Sequence, residues 1–272
     1  MGQVNEYQFN EYCKDPQSFP FLGPLQDHWE DIRNEFTAFM GQASEEERAI
    51  ASLMMGPQSQ TIKTKKGKKY SAFGVLFQGA WIEEYIRTYH LSYPGYDDTE
   101  AVTHVSELRH TYFPTLSQVI QTVNETHDVI LRNVYFGTFH PGLDIKLHTN
   151  DNPHMYRGYL GLIVPQGDVA MQICHDILHW YEGEFMVLDH SYPHCPHNYT
   201  TQNRTVLVVD FFKPDKPRTE VVEFEQAQVA QRMKDHPYSL GVFGQSDHAR
   251  EEDFIKYGLA HQLEWEQTLN KK

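Results

Sequence analysis

The feature that most constrains this fold is a series of short, strand-like segments between residues 130 and 213. Five of these segments are rich in β-branched and aromatic residues: 133–139, 158–164, 169–174, 184–188 and 205–212. Residues typical of turns separate them, such as Pro141-Gly142 and Glu182-Gly183. Short strands at near-regular spacing are typical of an antiparallel sandwich or a small barrel. The middle of the chain therefore predicts a β-sheet core.

Helical patterns flank this core on both sides. Apolar residues recur at helical spacing from Pro24 onward, and Ser44, followed by three glutamates, resembles a helix start. Further helical stretches are predicted at 81–90, 116–123, 221–233 and 251–269. Five lysines within 63–69 surround a glycine, which favours a solvated turn between two short strands.

These patterns predict an α+β chain in three parts. A mainly helical N-terminal region covers 1–109 and packs on the core, which covers 110–215. A helical C-terminal extension covers 216–272. The chain of 272 residues is 40% hydrophobic, which is enough for a sizeable buried core.

The charge balance argues against one class of partner. There are 23 Lys+Arg and 37 Asp+Glu, so the formal net charge is −14. Nucleic acids and anionic membranes attract surplus cations, and we therefore expect neither to be a partner. No apolar run is long enough to span a bilayer, and the chain does not start like a signal peptide. The three cysteines form no CxxC pair. A cytoplasmic location is expected, and the oligomeric state is left open.

Histidine is unusually frequent in the predicted core. Eight of the sixteen histidines lie between positions 140 and 197: His140, His148, His154, His175, His179, His190, His194 and His197. A metal site on a β-scaffold produces such clustering, because imidazole suits transition metals. A histidine-rich loop at 189–197 would produce it as well. Clustering alone does not separate these interpretations.

Order and spacing favour the metal site. Non-haem iron oxygenases place one histidine after an early strand, a second on a late strand and an arginine shortly beyond. His148, His194 and Arg204 occur in this order, and Arg204 lies ten positions after His194. His197 is the chief rival to His194 as the second ligand, whereas packing or surface roles are expected for His154, His175, His179 and His190.

Five sequence blocks resemble the aspartyl/asparaginyl β-hydroxylases, a family of iron(II)- and 2-oxoglutarate-dependent oxygenases. The blocks are FHPGLDIKLH at 139–148, YRGYLGLIVP at 156–165, WYEG at 180–183, FMVLDHSYPH at 185–194 and NRTVLVVD at 203–210. Their order and intervals are similar to those of the family. The resemblance covers roughly residues 110 to 215 and leaves out the helical flanks.

The resemblance implies a double-stranded β-helix, or jelly roll, with Fe(II) held by His148 and His194. It also implies that Arg204 pairs with the distal carboxylate of 2-oxoglutarate and that Arg157 faces the metal-proximal carboxylate. A guanidinium suits this role, because it binds a carboxylate through two parallel hydrogen bonds. The implied reaction uses O2 to hydroxylate an unactivated C–H bond of an amino-acid-like or peptide-like substrate, either a small molecule or a peptide.

Two positions depart from the family pattern. Most related oxygenases supply a carboxylate two residues after the first histidine, and these hydroxylases have a glycine there, whereas this chain has Asn150 followed by Asp151. Asn150 could be a spectator, a hydrogen-bond partner of a bound water or a weak ligand, and Asp151 is out of register. Tyr159 replaces a histidine that the family has near the cosubstrate, although a phenol can also donate a hydrogen bond to a carboxylate.

Two alternatives remain beside hydroxylation. A site without a carboxylate ligand leaves a position for an anion, which would suit halogenation or desaturation on the same scaffold. A binding protein without catalysis is the other alternative, and Tyr159 is its only support. The sequence does not identify the substrate. Aromatic residues of the helical flanks are expected to shape the substrate cleft.

Overall fold

The computed structural model describes residues 9–44, 70–89, 98–145, 147–150 and 152–235, and its strands form two antiparallel sheets. The larger sheet contains, in spatial order, β1 (Cys13–Lys14), β9 (Phe185–Leu188), β6 (Met155–Ile163), β11 (Arg204–Phe212), β4 (Leu131–Phe139), β2 (Tyr70–Phe77) and β3 (Ala80–Trp81). The smaller sheet contains β5 (Leu143–Asp144), β10 (His194–Asn198), β7 (Val169–Ile173) and β8 (Asp176–His179).

Both faces of the larger sheet are covered, which explains why all nine residues of β4 and of β11 are buried. The inner face packs against the smaller sheet, where Tyr135 and Val208 share an apolar cluster with Met171. The outer face packs against helices in a second apolar cluster, where the Phe36 ring stacks on the Phe136 ring at 4.7 Å between centroids. Strand side chains alternate between faces, so each long strand contributes to both clusters.

The helices lie mostly before the long strands in the chain. Their bounds are Gly23–Asp27, Trp29–Gln42, Ile82–Tyr89, Asp98–Tyr112, Pro114–Thr126 and Arg218–Asp235, with two 3₁₀ turns at Pro16–Ser18 and Pro20–Leu22. The last helix is attached to the core by Val221, which packs with Met155 and Phe212, and by a buried ion pair between Arg132 and Glu225.

This architecture confirms the expected α+β fold, a double-stranded β-helix with helices before and after it. The predicted strands recur within one to three residues of their expected ends. Strands β1, β2 and β3 show that the segment before residue 110 also adds three strands to the larger sheet. The boundaries at 109/110 and 215/216 stay predictions. The lysine-rich turn and the helical patterns at 45–55 and 251–269 lie outside the described residues.

A loop was one interpretation of 189–197, and there the structure differs. Residues His194–Asn198 form β10, which pairs with β7 along its whole length and with β5 at two positions. Pro193 and Pro196 hid this strand, because proline cannot donate a hydrogen bond to a neighbouring strand. The carbonyl of Pro196 still accepts a bond from the backbone N–H of Ile145.

Candidate functional site

His148 follows β5 in the chain, His194 begins β10, and the two residues lie side by side. Each donates its backbone N–H to the carbonyl of the other, at 3.0 Å and 2.8 Å, in an antiparallel bridge. Residues paired in this way project their side chains from the same face. The two imidazole centroids are accordingly 4.2 Å apart. A pairing between distant parts of the sequence thus brings together the two histidines that were expected to bind metal.

The imidazole of His194 is oriented by the backbone. Its Nδ1 lies 2.8 Å from the carbonyl oxygen of Tyr192, and a carbonyl can only accept. Nδ1 therefore carries the proton, and in the neutral ring the lone pair lies on Nε2. Metal-binding histidines commonly have one nitrogen held by such a bond while the other binds the metal.

A third imidazole, that of His190, adjoins this pair. Its centroid is 4.0 Å from that of His194, and its Nε2 lies 2.7 Å from the Tyr159 hydroxyl. Burial lowers the pKa of His190 well below its usual value, and His194, Arg157 and His148 lower it further. His190 is therefore neutral at pH 7. The sequence suggested a packing or surface role for His190, and its place in the same motif block as His194 was the available signal.

Arg204 is buried, with 1% of its surface exposed, at the start of β11. Its guanidinium packs against two aromatic rings, with Cζ 3.6 Å from the Phe139 centroid and 4.0 Å from that of Trp180. Nη1 makes a long bond of 3.4 Å to the carbonyl oxygen of Gly137. Nε and Nη2 are buried and have no hydrogen-bond partner. A buried cation with two unpaired donors is costly, and a carboxylate is the group that would satisfy it.

The electrostatics of Arg204 agree with that geometry. Burial lowers the pKa of Arg204 to about 9, and the neighbouring phenols of Tyr70, Tyr159 and Tyr135 offset the burial only in part. No ion pair joins Arg204 to a carboxylate among the described residues. The site therefore favours an anionic ligand beside this guanidinium.

Arg157 has a carboxylate partner within the protein. It lies opposite Asp210 across β6 and β11, and its Nε and Nη2 donate to the two carboxylate oxygens at 2.6 Å and 2.8 Å. Asn133 donates to the same carboxylate at 2.9 Å. Burial alone lowers the pKa of Arg157, but Asp210, together with the phenols of Tyr135 and Tyr159, more than offsets it, so the pKa lies well above its usual value. Arg157 is a central-strand residue fixed by an ion pair.

Tyr159 connects the histidines to the buried arginine. Its ring centroid is 5.4 Å from that of His190 and 6.1 Å from that of Trp180, which covers Arg204. Burial raises the pKa of Tyr159 above its usual value, so the phenol keeps its proton. The expected site residues Tyr159, Arg157 and Arg204 therefore line one inner face of the larger sheet.

Two rival ligands are placed differently from His194. His197 lies three residues along β10 and so projects to the opposite face, where its Nε2 contacts Asp168 at 2.7 Å. The Asn150 amide Nδ2 lies 3.3 Å from Nδ1 of His190, and its backbone N–H donates to the carbonyl of the same residue. Asp151 is outside the described residues.

The donor set of the site suits a metal that takes only two protein ligands. Where the chain is described, no group of three or more His, Cys, Asp and Glu side chains is arranged to hold a metal ion. His148 and His194 are a pair, and two imidazoles are ligands that iron accepts.

Comparison with known proteins gives matches to hydroxylases. The aspartyl/asparaginyl beta-hydroxylase family matches residues 26–214. The ornithine lipid ester-linked acyl 2-hydroxylase of Rhizobium tropici is 31% identical over 141 residues, which are 51% of this chain and 43% of that protein. The aspartyl/asparaginyl beta-hydroxylase of Mus musculus is 22% identical over 102 residues, which are 38% of this chain and 14% of that protein. The matches thus span less than half of either relative.

Among solved structures, a prolyl-4-hydroxylase of Pseudomonas putida matches 69% of this chain and 87% of its own, at 13% identity and a TM-score of 0.35. Within the described ranges, none of the helices combines the length and the apolar character needed to cross a membrane.

Proposed function

Because the chain belongs to the aspartyl/asparaginyl β-hydroxylase family, we propose that it is an iron(II)- and 2-oxoglutarate-dependent hydroxylase. Its substrate is amino-acid-like or peptide-like, and the reaction hydroxylates an unactivated C–H bond. The observation that carries the proposal is Arg204, a buried cation with two unpaired donors in the barrel that holds the histidine pair. A dicarboxylic cosubstrate supplies the missing anion.

His148 and His194 are the residues that would hold the iron. The bond from His194 Nδ1 to the Tyr192 carbonyl keeps Nε2 as the metal-binding nitrogen and restrains the ring. Neutral imidazoles bind a divalent ion without cancelling its charge. Iron bound together with 2-oxoglutarate and O2 supplies the oxidising power for breaking a C–H bond.

The arginines and Tyr159 orient the cosubstrate. Arg204 binds the distal carboxylate, while Phe139 and Trp180 pack against its guanidinium and exclude water. A charge-assisted hydrogen bond is stronger in such surroundings than in water. Arg157 and Tyr159 lie toward the histidines and face the metal-proximal carboxylate. Asp210 restrains the side chain of Arg157, so that its remaining donors have a fixed direction.

A lipid acyl chain is a second candidate substrate, and the Rhizobium tropici relative supports it. Hydroxylation at the β-carbon of an aspartyl residue and at carbon 2 of an acyl chain share one feature. In both, the reacting carbon is bonded to a carbon that carries a carboxyl or carbonyl oxygen. We therefore expect the substrate to present a methylene next to such a group, whether it is peptide or lipid.

Anaerobic titration with Fe(II) and then 2-oxoglutarate tests the proposal. We expect a metal-to-ligand absorption band in the wild-type protein, and succinate once O2 is admitted. His148→Ala, His194→Ala and Arg204→Ala should each abolish or strongly weaken the band, and His197→Ala is the matched control that should retain it. A wild-type protein with neither band nor succinate would refute the proposal. A band lost in His197→Ala but kept in His194→Ala would overturn the ligand assignment.

A further inference from the structure

The surroundings of Arg204 contain a phenol from outside the predicted core. Tyr70, the first residue of β2, pairs with Phe139 on β4, and Phe139 pairs in turn with Arg204 on β11. Residues in direct register across adjacent strands project from the same face. Tyr70, Phe139 and Arg204 therefore form one row across the inner face of the larger sheet.

Contacts within this row place the Tyr70 hydroxyl near the guanidinium. The Tyr70 ring packs on Phe139 with centroids 5.4 Å apart, and Arg204 covers the same Phe139 ring. A Cβ added to Gly137 would lie 3.0 Å from the Tyr70 oxygen, and the carbonyl of Gly137 accepts the bond from Arg204 Nη1. The glycine thus leaves the space that the phenol occupies.

The groups gathered here are mainly donors. Arg204 has two unpaired N–H groups, and the indole Nε1–H of Trp180, which is 3% exposed, is also buried without a partner. Burial raises the pKa of Tyr70, and the neighbouring Arg157, Arg204 and Tyr135 offset that rise only in part. A phenol with a raised pKa keeps its proton at neutral pH, so the Tyr70 hydroxyl can donate a hydrogen bond. Neighbouring donors need a common acceptor.

We infer that Tyr70 donates a hydrogen bond to the same carboxylate as Arg204, with the Trp180 indole as a third donor. These donors thereby select a 2-oxo acid with a second carboxylate over one that ends in a methyl group. Tyr70 can have this role only if the cosubstrate is 2-oxoglutarate, so the inference rests on the proposed function. It assigns cosubstrate selection to a strand that precedes the motif blocks.

Comparing two ligands of nearly equal shape distinguishes hydrogen bonding by Tyr70 to the cosubstrate from a purely structural role of Tyr70. 2-Oxoglutarate and 2-oxovalerate differ only in that a methyl group replaces the distal carboxylate. Dissociation constants of both should be measured anaerobically on the Fe(II)-loaded full chain, for wild type, Tyr70→Phe and Trp180→Phe. Tyr156→Phe is the matched control, because it removes a phenol that packs on the outer face of the same sheet.

We expect wild type to prefer 2-oxoglutarate strongly and Tyr70→Phe to bind it about ten-fold more weakly, the usual loss for a hydrogen bond to a charged group. Affinity for 2-oxovalerate should not change. Trp180→Phe keeps an aromatic ring over Arg204 and should show a smaller loss in the same direction. Equal affinities of Tyr70→Phe and wild type for 2-oxoglutarate would overturn the inference, as would equal losses for both ligands.

A different result is expected if the proposed function is wrong. In that case the wild-type protein itself does not discriminate between the two acids, or binds neither. Should Tyr70→Phe fail to fold, Trp180→Phe decides alone, and unchanged discrimination in that variant rejects the donor cluster.

Discussion

The two faces of the larger sheet differ in chemistry, although the same strands build both. On β11, Leu207, Val209 and Phe211 face the helices within an apolar cluster, whereas Arg204 and Asp210 project toward the smaller sheet. The outer face stabilises the fold through apolar burial and dispersion. The inner face holds charges away from water, which costs stability unless a partner is present. One sheet therefore separates folding from ligand binding by the alternation of its side chains.

Two arginines on the inner face show the same separation between folding and ligand binding. Arg157 is bonded to Asp210 through two nitrogens, while Arg204 has no carboxylate partner among the residues described. The first arginine completes its ion pair when the chain folds. The second completes it only when a ligand binds.

Phe136→Ala should destabilise the packing on the outer face without altering ligand binding on the inner face. Phe136 is 1% exposed and stacks on Phe36, so its truncation leaves a large cavity. We expect the free energy of unfolding to fall by about 3–5 kcal/mol, the usual range for this change. Urea denaturation measures the loss, and the dissociation constant of 2-oxoglutarate for the folded fraction should not change. Phe136→Leu, which leaves a smaller cavity, should lose less. Weakened binding with intact stability would contradict the division between the faces.

Arg204→Met should weaken cosubstrate binding without destabilising the fold. The variant loses the charge-assisted bonds to the distal carboxylate, and truncating one partner of such a buried pair costs about 2–5 kcal/mol. We expect kcat/KM for 2-oxoglutarate to fall about 100-fold or more. The ligand-free variant should be as stable as wild type or more so, because an unpaired buried charge is replaced by an apolar side chain of similar length. A large drop in melting temperature of the ligand-free variant would show that Arg204 supports the fold.

Asp210→Asn should affect both the stability of the fold and cosubstrate binding, since it removes the partner of Arg157. We expect a loss of about 2–3 kcal/mol in unfolding free energy, near the lower end for breaking a buried pair because Arg157 is partly exposed. A double-mutant cycle with Arg157→Met measures the coupling between the two residues. Coupling close to zero would mean that the ion pair contributes nothing to stability.

The pH dependence of stability should show that His190 is buried in its neutral form. Burial lowers its pKa in the folded protein, whereas in the unfolded chain the imidazole takes up a proton near pH 6.5. The unfolded state therefore binds more protons below that pH, and stability falls as the pH drops, by up to about 1.4 kcal/mol per pH unit for this residue. His190→Gln should show a shallower fall than wild type between pH 6.5 and 5 in metal-free protein. Identical slopes would exclude a buried, neutral His190.

The strands and the candidate ligands could be predicted because their signals are local. Enrichment in β-branched and aromatic residues between turn residues identified the long strands, and the intervals from His148 to His194 and Arg204 identified the three residues on which the proposed chemistry depends. Strand β10 escaped prediction because its prolines resemble a loop. His190 escaped because its place in the same motif block as His194 did not show that its imidazole is buried.

By itself, the sequence determined the alternation of side chains along each strand and the order of the chemically active residues, since both follow from covalent connectivity. Only the tertiary structure decided which residues meet. Strand register paired Arg157 with Asp210 and left Arg204 between two aromatic rings, and it brought Tyr70 into the same row from a distant segment. Register depends on long-range packing, because a shift of one residue would turn every side chain to the other face.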